Sequence, residues 1–296
     1  MSTIAIIGAM DEEVANIASA LSAITVTEEA GVSVTRGTIE TNKGTRVNVA
    51  ATVGGMGTVN IAATTQHLID ADQPDAVIFS GIAGNLNTHL HINDVVLGGT
   101  LRYLDTDMRL VGQWKPGTAD QPVEEFHSDD RLIEVADKVL TDLSVHHITG
   151  IIATGNYFVD DPKKVEQVIR ETGADAVEME GAAVAHVAAR NGLPVLVIRA
   201  LSDNADTDYV EFKEFDISEY ADTAAKIAVN IVKRMSAHER RPVQRIGCWT
   251  GRLIFRYGES HESELRGNFR WREGIAHGNR FPEPLLLKKN DGLSEG

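Results

Sequence analysis

Short apolar runs alternate with stretches of helical period along most of the chain, the pattern of an α/β sheet. Ile4–Gly8 reads as a buried first strand, and Met10–Ser22 as a helix carrying Val14, Ile17, Ala18 and Leu21 on one face. Val32–Glu40 and Thr45–Val53 flank Asn42-Lys43-Gly44, which predicts a hairpin. Val59–Ile69 is amphipathic and helical, and Ala76–Ser80 is a short strand running into a flexible Gly81-Ile82-Ala83-Gly84. Val95–Gly98 predicts another strand, and Met108–Phe126, with two prolines and two glycines, a loop. Leu132–Leu143 and Pro162–Glu171 predict helices on either side of a strand at Ile148–Ala153. Ala182–Arg190 is an Ala/Val-rich helix whose small residues admit close neighbours. Pro194–Ala200 is the most strand-like run, and Ala221–Met235 the last helix. No repeat of fixed period is present.

From Glu239 onward neither period persists. Residues 239–296 carry 11 Lys+Arg against 8 Asp+Glu, whereas residues 1–238 carry 17 against 35. The −15 balance of the 296 residues therefore blends a strongly acidic part with a mildly basic one. This composition break predicts a domain over 1–237 and a basic tail, disordered or loosely structured, over 238–296. A partner-binding arm, or a sequence foreign to the fold such as a shifted reading frame, would also fit the tail. The acidic balance argues against broad contact with nucleic acid, whose phosphates need Lys and Arg. Leu193–Leu201, the longest apolar stretch, contains Arg199 and falls short of the roughly 20 residues that span a bilayer. The single cysteine, Cys248, cannot form an intrachain disulfide, and no basic leader precedes the run at Ile4. A cytoplasmic protein with no membrane segment is the expectation.

Common motifs are missing. The first strand runs into Gly8-Ala9-Met10 and not into a dinucleotide fingerprint, and Gly55-Met56-Gly57 lacks the third glycine. There is no phosphate loop and no nucleophile elbow. His89-Leu90-His91 could grip a metal on a strand, but no partner set stands at ligand spacing, so a solvated pair is the simpler reading. His146-His147 reads the same way. No metal and no organic cofactor are expected.

The informative residues are acids where a packed fold disfavours them. Asp11-Glu12-Glu13 follows the buried first strand; complementing a helix dipole would explain it. Glu178 and Glu180 enter a run of small and apolar residues that reads as the start of a packed helix, where capping is the ordinary explanation. Along Val195–Asp203, period two places Arg199, Leu201 and Asp203 on one side, and a structural Arg–Asp pair would suffice there. Taken together, three such groups at one edge of one sheet, where α/β proteins bind ligands, point to a catalytic carboxylate set. Desolvation and neighbouring charge separate the protonation states of such acids, which is what cleavage of a glycosidic bond through an oxocarbenium-like state requires.

These residues resemble a known family. Ile6-Ile7-Gly8-Ala9-Met10-Asp11-Glu12-Glu13-Val14 is similar to the opening of the 5′-methylthioadenosine/S-adenosylhomocysteine nucleosidases, within the purine nucleoside phosphorylase superfamily. Gly55-Met56-Gly57, Gly81-Ile82-Ala83-Gly84, Arg102-Tyr103-Leu104-Asp105-Thr106-Asp107, Val177-Glu178-Met179-Glu180 and Arg199-Ala200-Leu201-Ser202-Asp203 follow in the family's order and spacing. The resemblance runs from residue 4 to about residue 236. It implies a three-layer α/β fold with a central mixed, partly barrelled sheet, a homodimer, and hydrolytic release of adenine.

Residue by residue, the resemblance implies that Glu13 activates water and that Asp203 protonates adenine N7. Glu180 would bind the ribose hydroxyls with Met179 packed on the sugar, and Arg199 and Glu178 would form the polar pair near the water. Phe158 and Val159 would stack on adenine and read its edge through backbone groups. Met10, Met56, Ala83, Gly84 and Ser202 complete the expected pocket. Phe212 corresponds to a mobile segment closing over the 5′-alkylthio group, though an ordinary core aromatic would also fit. Adenine leaves poorly as an anion, so an acid that holds its proton near neutrality is needed at N7. Two departures stand out. Ile82 replaces the small hydroxyl residue of many members, which favours water over phosphate as nucleophile. The loop Val111–Pro116 lacks the aromatic that nucleosidases often contribute from the dimer partner, with Trp114 one place away. The rivals are a phosphorylase, a hydrolase of a related nucleoside such as futalosine, and a nucleoside-binding module without turnover.

Overall fold

A computed structural model describes residues 2–8, 11–105, 125–203 and 217–235. In chain order its elements are β1 (Thr3–Gly8), α1 (Asp11–Ser19), β2 (Ser22–Glu29), β3 (Val32–Glu40), β4 (Arg46–Val53), α2 (Thr58–Asp72), β5 (Ala76–Asn85) and β6 (Val95–Tyr103). They continue with β7 (Glu125–His127), α3 (Asp130–Asp142), β8 (His147–Thr154), α4 (Pro162–Thr172), β9 (Ala176–Glu178), α5 (Gly181–Arg190), β10 (Val195–Asp203) and α6 (Ile217–Arg234).

Period two along the central strands sorts their side chains into two cores. Ile4, Ile6, Ile78, Leu196 and Ile198 face one side, where they meet Ile17 of α1, Leu140 of α3 and Ile231 of α6. Ala5, Ile7, Phe79 and Val197 face the other, against Leu68 of α2 and Val184 of α5. Helices on both faces explain why these strands are continuous apolar runs. Each fully buried Ile or Leu contributes about 1.5–3 kcal/mol. Local chemistry sets the helix ends. Asp129 accepts from the amides of Arg131 and Leu132 to start α3. Asp161 accepts from Lys163 to start α4, which has Pro162 in its first turn and ends on left-handed Gly173.

Five strands close on themselves. β10 pairs β6, β6 pairs β8, β8 pairs β9, β9 pairs β5, and β5 returns to β10. From β5 the sheet opens into a wing in the order β1, β4, β3, β2. The mixed, partly barrelled α/β sheet that the family resemblance implied is the one observed.

Several elements differ from their predicted extents. The first helix stops at Ser19, and Ser22–Glu29 is a strand instead of a helix end and loop. Residues 22–28 of β2 are exposed on both faces, so the alternating Ile24-Thr25-Val26-Thr27 marks no buried side; pairing with β3 forms that strand. Gly81–Gly84 is not a flexible turn but the second half of β5, held by β10 on one side and β9 at its end. Tertiary pairing overrides the local glycine signal there. Glu178 ends strand β9, with the helix beginning only at Gly181. The far end of the predicted 108–126 loop is strand β7, paired to β6. The expected domain limit near Ala237 and the tail from 238 lie outside the described residues.

Candidate active site

β5 is the strand on which the candidate residues converge. Leu201 is in register with Ala83, and a bulge then puts Asp203, not Ser202, beside Gly84. Such a bulge re-aims the side chains that follow it. On its other edge Gly84 pairs antiparallel with Val177, the residue before Glu178. Asp203 and the Glu178 segment therefore flank one glycine. The Ser202 hydroxyl donates to Asp203 Oδ1 at 2.6 Å and lies 3.3 Å from the Ala83 carbonyl.

Glu13 reaches the same edge from α1. Its side chain is wholly buried, and Gly8 at the end of β1 is what admits it. A Cβ on Gly8 would stand 2.8 Å from Val14 Cγ2 and 3.4 Å from Glu13 Oε2, so a larger residue requires Val14 or the helix carrying it to shift. Glu12, its neighbour, is exposed. The Gly8 carbonyl accepts from Gly54 at 3.1 Å, which joins β1 to the turn Gly54–Gly57 between β4 and α2.

That turn is gripped by Glu180. Gly57, at φ 85°, is the N-cap of α2 and offers no side chain. Its amide instead donates to Glu180 Oε1 at 2.8 Å, 123 residues away. Asn156 Oδ1 accepts from the amide and hydroxyl of Thr58 at 3.0 and 2.9 Å, and Asn156 is itself held by Asp105 Oδ2 through two donations of 3.0 Å. Burial pushes the Glu180 carboxyl above its usual range, and the neighbouring Glu178 charge adds to this; Arg199 and the amides of Gly57 and Met179 oppose it.

Glu178 is buried and saturated with donors. Arg199 donates through Nε at 3.1 Å and Nη2 at 2.5 Å to Glu178 Oε2. The same oxygen accepts from the amides of Glu180 and Gly181 at 3.1 and 2.7 Å, while the Thr154 hydroxyl donates to Oε1. Helix capping and charge pairing are thus both true of Glu178. Arg199 also donates to the Ile198 carbonyl and lies 4.0 Å above the Phe79 ring. The fork of Arg199 is on Glu178, the two residues that the resemblance implied as a polar pair.

Of the other expected residues, Ala83 is buried and Gly84 partly so; Met179 and Phe158 are half-buried. Val159 packs its side chain among Leu86, Val168 and Val177. Met56 is exposed beside Gly57, as is Val59 on the next turn. Met10, Phe212 and the Trp114 loop lie outside the described residues. Sequence reading did not single out Thr154, Thr58 or Asn156. The available signal was a hydroxyl and an amide at the carboxyl end of a barrel strand. Among the described residues, no three His, Cys, Asp or Glu side chains gather as a metal site. None of the described helices is long and apolar enough to cross a membrane. His91 and His146 both face Asp94, with His146 at 2.9 Å.

A closed five-strand barrel with an acidic edge around Gly8, Gly57 and Gly84 is the framework of a nucleoside-processing fold, and comparison with known proteins agrees. The family model described as the phosphorylase superfamily matches residues 3–234. The 5′-methylthioadenosine/S-adenosylhomocysteine nucleosidase of Bacillus velezensis is 36% identical over 236 residues, covering 78% of this chain and 99% of the relative. Among solved structures, the S. pneumoniae nucleosidase with the transition-state inhibitor MT-ImmA superposes with a TM-score of 0.71 at 34% identity, covering 79% of this chain and all of that one. A futalosine hydrolase mutant of Helicobacter pylori also gives a TM-score of 0.71, at 29% identity, covering 78% and 99%. The chain belongs to the phosphorylase superfamily and, within it, to the 5′-methylthioadenosine/S-adenosylhomocysteine nucleosidases.

Proposed function

We propose that this protein hydrolyses the N-glycosidic bond of 5′-methylthioadenosine and S-adenosylhomocysteine, releasing adenine as a step of methionine salvage. The residue assignment is supported by Asp203 and Val177, the neighbour of Glu178, pairing with the same Gly84, by Glu180 holding the Gly57 amide, and by the burial of Glu13 and Asp203. In the reaction the C1′–N9 bond breaks and a water oxygen bonds to C1′. Asp203 gives its proton to N7, so adenine leaves neutral. Glu13 orients the water and takes its proton. Glu180 accepts from the ribose hydroxyls, gaining strength as C1′ becomes cationic, with Met179 against the sugar. Arg199 and Glu178 stand beside the water, and Phe158 and Val159 border adenine. Each positioned acid or base is worth about 10²–10⁴-fold. Met10, Met56, Ala83, Gly84, Ser202 and Phe212 form the rest of the pocket, and no metal or organic cofactor takes part.

Water, not phosphate, is the nucleophile in this reading. Ile82 supports it, since that side chain packs against the core and offers no hydroxyl. We further propose a cytoplasmic homodimer. The 72% exposed Met56 and 80% exposed Val59, adjacent on the α2 edge of the site, supply apolar surface of the kind a second protomer covers. Truncation after Ala237 tests the tail from residue 238: unchanged turnover and solubility would leave it without a demonstrated function. A second reading, hydrolysis of futalosine, draws on the equal TM-score of the Helicobacter pylori futalosine hydrolase mutant.

Incubation with methylthioadenosine, with and without phosphate, decides among these by following adenine and sugar products. Phosphate-dependent release would make the protein a phosphorylase, and release from futalosine alone would favour the second reading. Asp203→Asn should abolish adenine release while sparing nucleoside binding; near-normal turnover would remove Asp203 from the acid role.

A further inference from the structure

Thr154 ends strand β8 and is wholly buried, while the neighbouring barrel strands β9 and β10 end in Glu178 and Asp203. Its hydroxyl has two partners on different elements. It donates to Glu178 Oε1 at the end of β9, and it accepts from the Ala182 amide in the first turn of α5 at 2.8 Å. One hydroxyl therefore uses its donor and an acceptor lone pair together. Glu178 Oε2 is already occupied by Arg199 and by the amides of Glu180 and Gly181. Thr154 provides the hydrogen bond on the other oxygen, and so sets the rotation of the carboxylate plane about the fork of Arg199. Through Ala182 it also holds the first turn of the helix whose N-cap is Glu180.

We propose that Thr154 is a positioning residue for the glycosidic cleavage, acting through Glu178 to hold Arg199 and through α5 to hold Glu180. The proposal rests on the nucleosidase reading above. A serine retains both hydrogen bonds. Valine preserves the shape, removes both, and leaves the buried Ala182 amide without its acceptor. Misplacement of reacting groups by about 1 Å costs about 10²-fold. Because Arg199 and Glu178 stand beside the water and not under the base, the loss belongs in the chemical step.

The test is steady-state kinetics with methylthioadenosine for the full chain and its Thr154→Val, Thr154→Ser, Glu178→Gln and Thr154→Val/Glu178→Gln forms. Thr154→Val is expected to lower kcat about 10- to 100-fold with KM within about threefold, and Thr154→Ser to stay within about threefold of the parent. In the Glu178→Gln background, Thr154→Val should cost less than about threefold more, because the two act as a unit. Normal kcat in Thr154→Val, a Thr154→Ser form as impaired as the valine form, or fully multiplicative losses in the double form would each overturn the proposal. If Thr154→Val does not fold, Thr154→Ala replaces it with the same expectations. An unmodified protein that releases no adenine would instead overturn the nucleosidase reading, and the positioning role with it.

Discussion

Replacing Arg199 by methionine tests the buried centre of the site most directly. Both side chains of the Arg199–Glu178 pair are essentially inaccessible, at 1% and 2% exposed, so water cannot screen what is left behind. Removing one partner of a buried ion pair costs about 3–5 kcal/mol, since the other charge stays in place. Here Glu178 would retain the Thr154 hydroxyl and the Glu180 and Gly181 amides, which offset part of the loss. The cation–π contact with Phe79 would go, but methionine is apolar and fills much of the volume. The lower end, about 3 kcal/mol, is therefore expected. For a domain of this size that is a fall in Tm of about 6–12 °C. Urea denaturation followed by circular dichroism at neutral pH measures it. The decisive control is Arg199→Met/Glu178→Gln. Glutamine removes the stranded charge yet keeps an acceptor for the Gly181 amide, so the double form should be more stable than Arg199→Met alone. A loss below about 1 kcal/mol in the single form, or a double form less stable than the single, would refute the reasoning.

Three further outcomes follow from other groups. Glu180 has its carboxyl raised by burial, so the folded state holds that proton more tightly than the unfolded one. Its contribution to stability is present below the ordinary glutamate range and is lost as pH rises through the raised folded value. Glu180→Gln should therefore gain stability relative to the parent as pH rises in chemical melts, while losing adenine release; equal pH profiles would count against it. Glu29 has the opposite shift, down to about 2, because Arg36 and Thr27 hydrogen-bond it. The Arg36–Glu29 tie is fully present above the usual 4.5 and is lost as pH falls through about 2, so the loosening of β2 by Arg36→Gln should be largest at neutral pH and shrink steadily as pH falls from 4.5 toward 2, read by amide exchange across 22–29. Ser80 Oγ is buried with no hydrogen-bond partner among the described residues. Ser80→Ala should be neutral or stabilising by about 1 kcal/mol in thermal melts, and a clear loss would contradict that.

Legibility in the sequence tracked how each residue is buried. Strands covered on both faces, such as β1 and β10, stand out as apolar runs, and so does the amphipathic α3. β2 escapes this reading although Ile24-Thr25-Val26-Thr27 alternates and is β-branched; seven of its eight residues are exposed, and pairing with β3 holds it. Gly81 to Gly84 reads as a break because local propensity is blind to β9 and β10, which close on it from either side. The acids were legible as misplaced charges, and the family resemblance named Arg199 with Glu178, but residue spacing alone did not show that pairing. Period two along β10 suggested Asp203 for Arg199, whereas the fork on Glu178 spans 21 residues and depends on the barrel closing. Thr154 and Asn156 carried no anomaly, since polar residues at strand ends are ordinary.

The closed barrel explains why such a collection of charges is tolerable. Glu178 and Arg199 belong to β9 and β10, and β5 lies between these two strands in the ring, so the ion pair is fixed by backbone pairing and not by loops. Glu13 is carried by α1 and packs against Gly8, where a side chain would clash, and Glu180, the N-cap of α5, accepts from the Gly57 amide. Rigid elements thus hold buried carboxylates in a geometry that free side chains would leave for water. The Glu180 shift identifies the cost: a carboxylate kept partly desolvated opposes folding at neutral pH. A glutamine there would satisfy the Gly57 amide equally well without a charge, so hydrogen bonding to the turn does not account for glutamate. What glutamate adds is a negative charge, which under the proposed ribose-binding role is worth having because positive charge develops at C1′.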